Sequence, residues 1–195
     1  MLTDLLHKYG ISESQLPTVR NYQRTQNLVI VGGGRCVWDD LMEFGWPHSN
    51  DVMTVNDITM HYPGHIRHVF SNDRKMLRPW LDARRPLLVQ AQEGPTLIHT
   101  LREGVQRAHV WPWPGQGTSG LNAVYTGIAL GYSQIVLCGI PLDDTGHYFD
   151  PPWVKSNFTN EVPDRPDGMR SWKEVPLPTV KSMSGRTREL LGGPG

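Results

Sequence analysis

The chain has 195 residues with 38% hydrophobic side chains, which is enough to bury the core of a single ordinary domain. Its 19 basic and 19 acidic residues balance, and a formal net charge of zero argues against a protein that holds nucleic acid by bulk electrostatics. No stretch approaches the roughly 20 apolar residues of a membrane helix, and the first residues lack a signal peptide's apolar centre, so we expect a cytoplasmic protein with no membrane partner.

Residues 1–26 are predicted to be a polar lead-in with one short helix from Leu2 to Tyr9. A buried strand at Leu28–Val31 then runs directly into a glycine turn, which a helix-like segment follows. Glycine lets backbone amides approach a phosphate closely, so this turn is a candidate nucleotide-binding loop. It matches neither G-x-G-x-x-G nor a Walker loop, and a merely tight βα turn is the alternative. The candidate binding residues here are Gly32, Gly33, Gly34 and Arg35.

The second strand is predicted over Asp51–Ile58, with Asn56 and Asp57 at its carboxyl end. An amide there can bind a base or a ribose, and a carboxylate can bind hydroxyls, so both side chains are candidate ligand-binding groups. Asn and Asp also form turns by bonding to the local backbone, which is an equally good explanation.

Further strands and helices are predicted in alternation up to the middle of the chain. A third strand is expected around His68–Phe70, then a helix through residues 76–81, and a fourth strand at Pro86–Gln90. A helix near Thr96–Ala108 and a fifth strand around His109–Trp113 follow. The tryptophans of this last strand are expected to pack in the core or a loop rather than to stack on a base.

The segment from residue 115 to residue 148 has the clearest pattern. Apolar residues between Leu121 and Ala129 recur at helical spacing, with Thr118 and Ser119 at the N-cap and Gly131 at a left-handed C-terminal position. The apolar run Ile135–Ile140 then predicts a parallel strand covered on both faces. Free amides and hydroxyls at a helix N-terminus favour an anion such as phosphate. The candidate phosphate-binding residues are Thr118, Ser119 and Gly120.

The loop after Ile140 leaves the carboxyl end of a strand, where open α/β sheets bind ligands. It contains four candidate catalytic side chains. We expect His147, or failing it Asp143 or Asp144, to act as a general base, and Tyr148 to donate to a phosphate oxygen. Adjacent aspartates before Thr-Gly are as readily explained by a plain turn.

The alternation of strands and helices predicts an α/β fold, with a doubly wound, mostly parallel sheet of Rossmann-like type over residues 27–150. Residues 151–195 are expected to form a loop-rich lid or tail that ends in a short helix through Leu191, capped by Ser182 or Ser184. The two cysteines, Cys36 and Cys138, are expected to be reduced thiols buried in or beside strands.

The block that runs from Thr118-Ser119-Gly120 through the apolar helix to Ile135-Val-Leu-Cys-Gly-Ile140 resembles bacterial sialyltransferases of the Campylobacter type. It is also similar to related Rossmann-like proteins, which include archaeal hydroxymethylpterin diphosphokinases and phage proteins. The resemblance implies that the Thr-Ser-Gly turn contacts the cytidine monophosphate (CMP) part of a donor. It also matches Gly32 and Gly34 to the family's glycine loop, Asn56 to a nucleotide-binding Asn, and Tyr148 to a tyrosine that holds the donor phosphate.

The chain departs from this family at several positions. Gly33 stands where the family has Asn, Cys36 where it has Ser, and Pro141 where an aspartate is common. The family's catalytic-base histidine lies downstream, and this chain has no histidine after His147. The resemblance therefore implies nucleotide binding more strongly than sialyl transfer.

We therefore expect a nucleotide-binding enzyme, most simply a glycosyltransferase that uses a CMP-type nucleotide-sugar donor without a metal. The acceptor is open, with nucleic acid among the candidates, and a homo-oligomer is compatible with the sequence. One alternative is a pterin-type diphosphokinase in which Asp143 and Asp144 bind Mg²⁺. Another is a non-catalytic phage accessory protein that binds a nucleotide.

Overall fold

The computed structural model describes residues 1–19, 25–47, 49–91, 95–115, 118–154, 171–173 and 177–195. The strands described are β1 (Asn27–Val31), β2 (Asp51–Val55), β3 (His68–Phe70), β4 (Leu97–Thr100), β5 (Ala108–Val110), β6 (Gln134–Cys138) and β7 (Val180–Ser182). The α-helices are α1 (Leu2–Tyr9), α2 (Val37–Phe44), α3 (Arg74–Ala91), α4 (Ser119–Ala129) and α5 (Gly185–Leu191), with 3₁₀ turns at Glu13–Gln15 and Asn56–Met60.

All seven strands lie in one sheet in the order β5-β4-β3-β2-β1-β6-β7, and every neighbouring pair is parallel. This confirms the predicted doubly wound, Rossmann-like α/β fold. From β1 the chain builds the sheet outward to β5, and it then returns to place β6 on the other side of β1. The crevice at such a switch point, outside the carboxyl ends of the strands, is where this architecture binds ligands.

Strand β1 is apolar from Leu28 to Val31 because these residues are covered on both faces. Leu28 and Ile30 pack in one cluster with residues of α1 and α4, while Val29 and Val31 pack in another with α2. This division follows from the period of two along a strand. The two helix layers thus fix β1, and with it the glycine turn that follows, at the centre of the molecule.

Several predicted elements are confirmed. The helix Leu2–Tyr9 and the strand His68–Phe70 have the predicted bounds. Thr118 is the N-cap of α4 and accepts a hydrogen bond from the Leu121 amide, and Gly131 has a left-handed φ of 82°. Both tryptophans after β5 are buried, and both cysteines are free thiols, although only Cys138 is buried as predicted and Cys36 is half-buried.

Two predicted elements between β3 and α4 are wrong. Residues Pro86–Gln90 are not a strand, because helix α3 continues to Ala91. A short apolar run of this kind fits either state by pattern alone. The helix expected at Thr96–Ala108 is instead β4, a turn and β5, with the fifth strand ending at Val110 rather than Trp113. Left-handed φ values at Gly104 and Arg107 interrupt any helix there.

The ends of other strands also differ from the prediction. β2 ends at Val55, since Asn56–Met60 turn into a 3₁₀ helix, and β6 ends at Cys138, since Gly139 is left-handed. β7 lies in the predicted C-terminal loop region and pairs with β6. Residues 155–170 and 174–176 of the expected lid are outside the described residues, so the domain division at 150 stays a prediction.

A directed chain of hydrogen bonds links buried side chains of β2, β3 and β4 with two aromatic residues of the core. Trp111 Nε1 donates to His99 Nδ1 at 3.1 Å, and His99 Nε2 lies 2.9 Å from His68 Nδ1. His68 Nε2 lies 2.7 Å from the Tyr132 hydroxyl, which donates to Asp51 Oδ2 at 2.6 Å. Because the indole only donates and the carboxylate only accepts, both histidines are neutral with the proton on Nε2. Burial lowers the pKa of His68 to about 3 and that of His99 well below its usual value.

None of the helices in the described residues is both long enough and apolar enough to cross a membrane.

Candidate functional site

The glycine turn after β1 lies against the end of β6, at the switch point of the sheet. The Gly32 amide donates to the Cys138 carbonyl and the Gly34 amide to the Gly139 carbonyl, both at 2.8 Å. A Cβ atom at Gly34 would lie 2.8 Å from the Gly139 carbonyl oxygen. The glycines therefore allow two backbone segments to approach each other closely.

The loop after β6 folds back over this turn. The Arg35 amide donates to the Gly146 carbonyl at 3.1 Å, and the Tyr148 amide to the Gly33 carbonyl at 3.0 Å. Gly34 and His147 form an isolated antiparallel bridge. Two predicted catalytic residues, which are more than a hundred positions from the glycine turn in sequence, are thereby held beside it.

Gly33 is the point where three predicted side chains converge. A Cβ atom at this position would lie 3.3 Å from Asp57 Oδ1, 3.4 Å from His147 Cδ2 and 3.7 Å from Tyr148 Cε1. These four residues, Gly33, Asp57, His147 and Tyr148, are called the Gly33 cluster below. The structure thus brings together candidates from three separate segments of the sequence.

Asp57 is an unusual member of this cluster. Its Oδ2 atom is buried and has no hydrogen-bond partner among the described residues. Burial raises the pKa of its carboxyl group, while its own backbone amide, His147 and His61 oppose that shift. Buried polar atoms are nearly always paired in proteins, so an unpaired carboxylate oxygen at this edge indicates a missing polar partner.

The Tyr148 hydroxyl is likewise buried without a partner among the residues that the structure describes. Burial and the nearby Asp57 carboxylate raise the pKa of Tyr148 to about 12, so the phenol stays protonated and can donate a hydrogen bond. Its ring is held by edge contacts with Trp38 and His61, whose ring centroids lie 5.7 and 5.6 Å away.

His147 is more exposed, at 51% of its side chain, and is oriented by Asp150. Asp150 Oδ2 accepts a hydrogen bond from the His147 amide at 2.8 Å and lies 3.4 Å from its Nδ1. The His147 ring stacks on Phe149 with centroids 5.2 Å apart. A carboxylate near Nδ1 leaves Nε2 as the nitrogen that can accept a proton. Sequence reasoning missed both Asp150 and His61, because their contacts depend on how the loop folds.

The N-terminus of α4 lies beside the same crevice. The first amides of a helix have no intrahelical acceptor. Thr118 Oγ1 accepts a hydrogen bond from the Leu121 amide, which leaves the amides of Ser119 and Gly120 without such a partner. Thr118 and Ser119 are half-buried. The Oδ1 atom of Asn122, in the same turn, is buried with no partner among the described residues.

Ile140 occupies part of the space next to this helix end. A Cβ atom would lie 2.5 Å from the Ile140 side chain at Gly32 and 3.1 Å from it at Gly120. These two glycines therefore make room for Ile140, and the part of the helix end that a ligand can reach is at Thr118 and Ser119.

Asn56 forms a turn, which is one of the two explanations that its sequence position left open. Its φ is 63°, and its Oδ1 accepts a hydrogen bond from Ser71 Oγ at 2.9 Å. The side chain thus supports the turn after β2, and its amide nitrogen is the atom that could bind a ligand.

The Arg35 side chain holds the loop after β6 in place beside the site. Its guanidinium donates hydrogen bonds to four backbone carbonyls, at Thr145, Asp150, Pro151 and Val154. These bonds are 2.6 to 3.3 Å long. Its predicted contact with a ligand has no support in this geometry, and we assign it the positioning of the loop.

Asp143 forms a turn, as its alternative explanation predicted. Its Oδ1 accepts from the Thr145 amide at 3.0 Å and from the Thr145 hydroxyl at 2.6 Å. Within the described ranges, no three His, Cys, Asp or Glu side chains come together in a way that would hold a metal ion. A magnesium site built on Asp143 and Asp144 would therefore need further ligands from a bound phosphate.

Replacing Arg35 with methionine should loosen this loop without unfolding the sheet. Four hydrogen bonds to carbonyls are lost, each with a net contribution of about 1 kcal/mol, partly offset by water at an exposed site. We expect limited proteolysis to cleave the Arg35→Met variant between residues 143 and 154 several times faster than the wild type. Arg35→Lys should protect the loop little, because one ammonium cannot span four carbonyls. Equal cleavage rates in all three proteins would contradict the assignment.

No protein-family model and no curated protein sequence matches this chain. Its fold is similar to that of solved sialyltransferases. For CstII from Campylobacter jejuni, in complex with the substrate analogue cytidine-5′-monophosphate, the TM-score is 0.54 at 17% identity, covering 88% of this chain and 86% of that one. For the monofunctional α-2,3-sialyltransferase Cst-I of the same organism, the TM-score is 0.55 at 16% identity, covering 91% and 84%. A structure of CST-II with a trisaccharide acceptor and CMP gives 0.55 at 17%, covering 86% and 85%. The chain therefore has a sialyltransferase-like fold.

Proposed function

We propose that this protein is a glycosyltransferase that binds a CMP-type nucleotide-sugar donor and transfers the sugar to an acceptor. The observation that carries the proposal is the Gly33 cluster, where Asp57 Oδ2 and the Tyr148 hydroxyl are buried without partners among the described residues. Buried polar atoms need a hydrogen-bond partner, and a bound polar ligand would supply it here. The fold shared with a sialyltransferase crystallised with CMP supports this choice of ligand.

The donor phosphate is assigned to the open part of the α4 N-terminus. The amides and hydroxyls of Thr118 and Ser119 offer donors there, and the helix dipole favours negative charge at that end. Tyr148 donates a further hydrogen bond from the facing loop. These donors stabilise the charge that develops on the phosphate as the sugar–phosphate bond breaks.

The reaction then consists of one bond exchange and one proton transfer. The acceptor hydroxyl oxygen forms a bond to the anomeric carbon of the sugar, while the bond from that carbon to the phosphate oxygen breaks and CMP leaves. His147 Nε2 takes the hydroxyl proton, and Asp150 holds the ring from the Nδ1 side. This assignment places the base on the β6 loop, whereas the family that the chain resembles has it further downstream.

Calorimetric titration with CMP tests the binding part of the proposal. We expect Ser119→Ala to weaken CMP binding about tenfold, because one hydrogen bond to a charged group contributes about 1.5 kcal/mol or more. Thr118→Ser keeps the hydroxyl that caps Leu121 and serves as the matched control with near wild-type affinity. If the wild type binds no nucleotide, or if Ser119→Ala binds CMP as tightly as the wild type, the phosphate assignment is wrong.

Product formation separates an enzyme from a non-catalytic nucleotide binder. With CMP-linked sugars and a panel of hydroxyl acceptors, His147→Gln should retain CMP binding and lose most of the turnover, by a factor of about 100 or more. A wild-type protein that binds CMP but forms no product with any acceptor would instead favour the accessory-protein alternative.

A further inference from the structure

Asp57 Oδ2, which has no hydrogen-bond partner in the described part of the chain, has the position of a sugar-selecting group. We propose that Asp57 accepts a hydrogen bond from a ribose hydroxyl of the bound nucleotide, so that the site discriminates ribonucleotides from their deoxy counterparts. This inference rests on the proposed nucleotide-binding function and adds the basis of its sugar specificity.

The sheet places Asp57 next to the glycine turn. Val31 of β1 and Thr54 of β2 are paired in parallel, so the residues that follow the two strands emerge side by side. Asp57 Oδ1 lies 3.3 Å from the position where a side chain at Gly33 would begin. Because Gly33 has no side chain, the Asp57 carboxylate can lie close to its backbone. In doubly wound folds, an acidic residue at this place binds a ribose hydroxyl.

The charges around Asp57 favour a neutral donor as its partner. Burial raises the pKa of the Asp57 carboxyl group, while the amides of Asp57 and Ile58 and the side chains of His61 and His147 oppose that shift and favour the carboxylate. A phosphate placed here would be repelled by that carboxylate. A hydroxyl can donate to Oδ2 without bringing a second charge into a buried position. The phosphate is then directed to the α4 N-terminus, and the sugar lies between the two, over Gly33.

Two of the loop side chains beside the Gly33 cluster are exposed. The neighbouring loop residues His147 and Phe149 are 51% and 59% exposed. Their rings stack on each other rather than in the core. Exposed rings of this kind change rotamer within nanoseconds, so a ligand can displace them. The Tyr148 hydroxyl, which also has no partner within the described ranges, could then donate to the same ligand.

Calorimetric titrations with CMP, 2′-deoxy-CMP, 3′-deoxy-CMP and UMP test the inference. We expect the wild type to bind CMP at least about tenfold more tightly than one or both deoxy analogues, because the analogue leaves Asp57 unpaired. In Asp57→Ala and in the isosteric Asp57→Asn, this ratio should fall to within about threefold. Asp39→Asn makes the same change in charge at an exposed position in the first turn of α2 and should keep the wild-type ratio.

Each other outcome has a distinct meaning. Equal affinity of the wild type for CMP and both deoxy analogues overturns the inference and leaves the proposed function intact. A ratio that persists in both folded Asp57 variants, as judged by circular dichroism, also overturns it. Variants that change the preference between CMP and UMP instead would show that Asp57 contacts the base, which contradicts a ribose contact. If the wild type binds none of the four nucleotides, the proposed function and the inference are both wrong.

Discussion

Replacing Gly139 with alanine should lower the free energy of unfolding by about 3 kcal/mol or more. Gly139 has a left-handed φ of 67°, and a Cβ atom there would lie 2.4 Å from the Gly32 carbonyl oxygen and 2.7 Å from Val37 Cβ. Neither neighbour can move, because one is backbone of the glycine turn and the other is fully buried. A hydrogen bond from the Gly34 amide to the Gly139 carbonyl joins the glycine turn to the end of β6. The substitution would therefore push these two segments apart.

Gly45→Ala is the matched control for this effect. Gly45 also has a left-handed φ, of 84°, but a Cβ atom there would meet nothing within 4 Å. The control should therefore show only the conformational cost of about 1 to 2 kcal/mol. Urea unfolding of both variants measures the difference. Equal losses would mean that the contacts of Gly139 are unimportant and that only its backbone angle matters.

Lowering the pH from 8 to 5 should destabilise the protein through the buried histidines of the core. The folded state keeps His68 and His99 neutral, since burial depresses the pKa of both, whereas the unfolded chain protonates them below about 6.5. The unfolded state thus binds more protons. The free energy of unfolding is therefore highest above about pH 6.5 and falls as the pH drops towards the lower pKa values of the folded state. Together the two histidines would lower the free energy of unfolding by about 4 kcal/mol at pH 5.

His68→Gln isolates one of these groups. Glutamine can accept from His99 and donate to Tyr132 but does not titrate, so about half of the pH dependence should disappear from urea unfolding curves at pH 8, 6 and 5. His65→Gln, at an exposed position, should leave the curve unchanged. A His68→Gln variant with the full wild-type dependence would show that acid acts on the protein through other groups.

The candidate site could be predicted in part because some of its geometry is local. A strand followed by glycine, or a Thr-Ser-Gly turn before an apolar helix, has the same backbone requirements in any context, and both form as expected. Parallel strands also bring their carboxyl ends to one edge, so Gly33, Asp57 and Tyr148 could be named before their contacts were known.

Other features depended on contacts between distant segments. The role of Arg35 could not be predicted, because its four carbonyl partners lie over a hundred positions away. Nor could the sequence indicate that Ile140 fills the space beside Gly32 and Gly120, or that Asp150 lies against His147. The helix at Pro86–Gln90 was missed for a related reason, since a short apolar run has no period that distinguishes helix from strand.

The amino-acid sequence by itself therefore determined the doubly wound α/β class of the fold, the buried strand β1 and the capped helix α4, because apolar spacing and capping residues act within a few positions along the chain. The tertiary structure decided that Asp57 and Tyr148 each have a buried polar atom with no partner among the described residues, that Arg35 holds a loop in place, and that the core histidines are neutral. These properties depend on which groups are excluded from water together, and the burial of a group is set by the packing of distant segments.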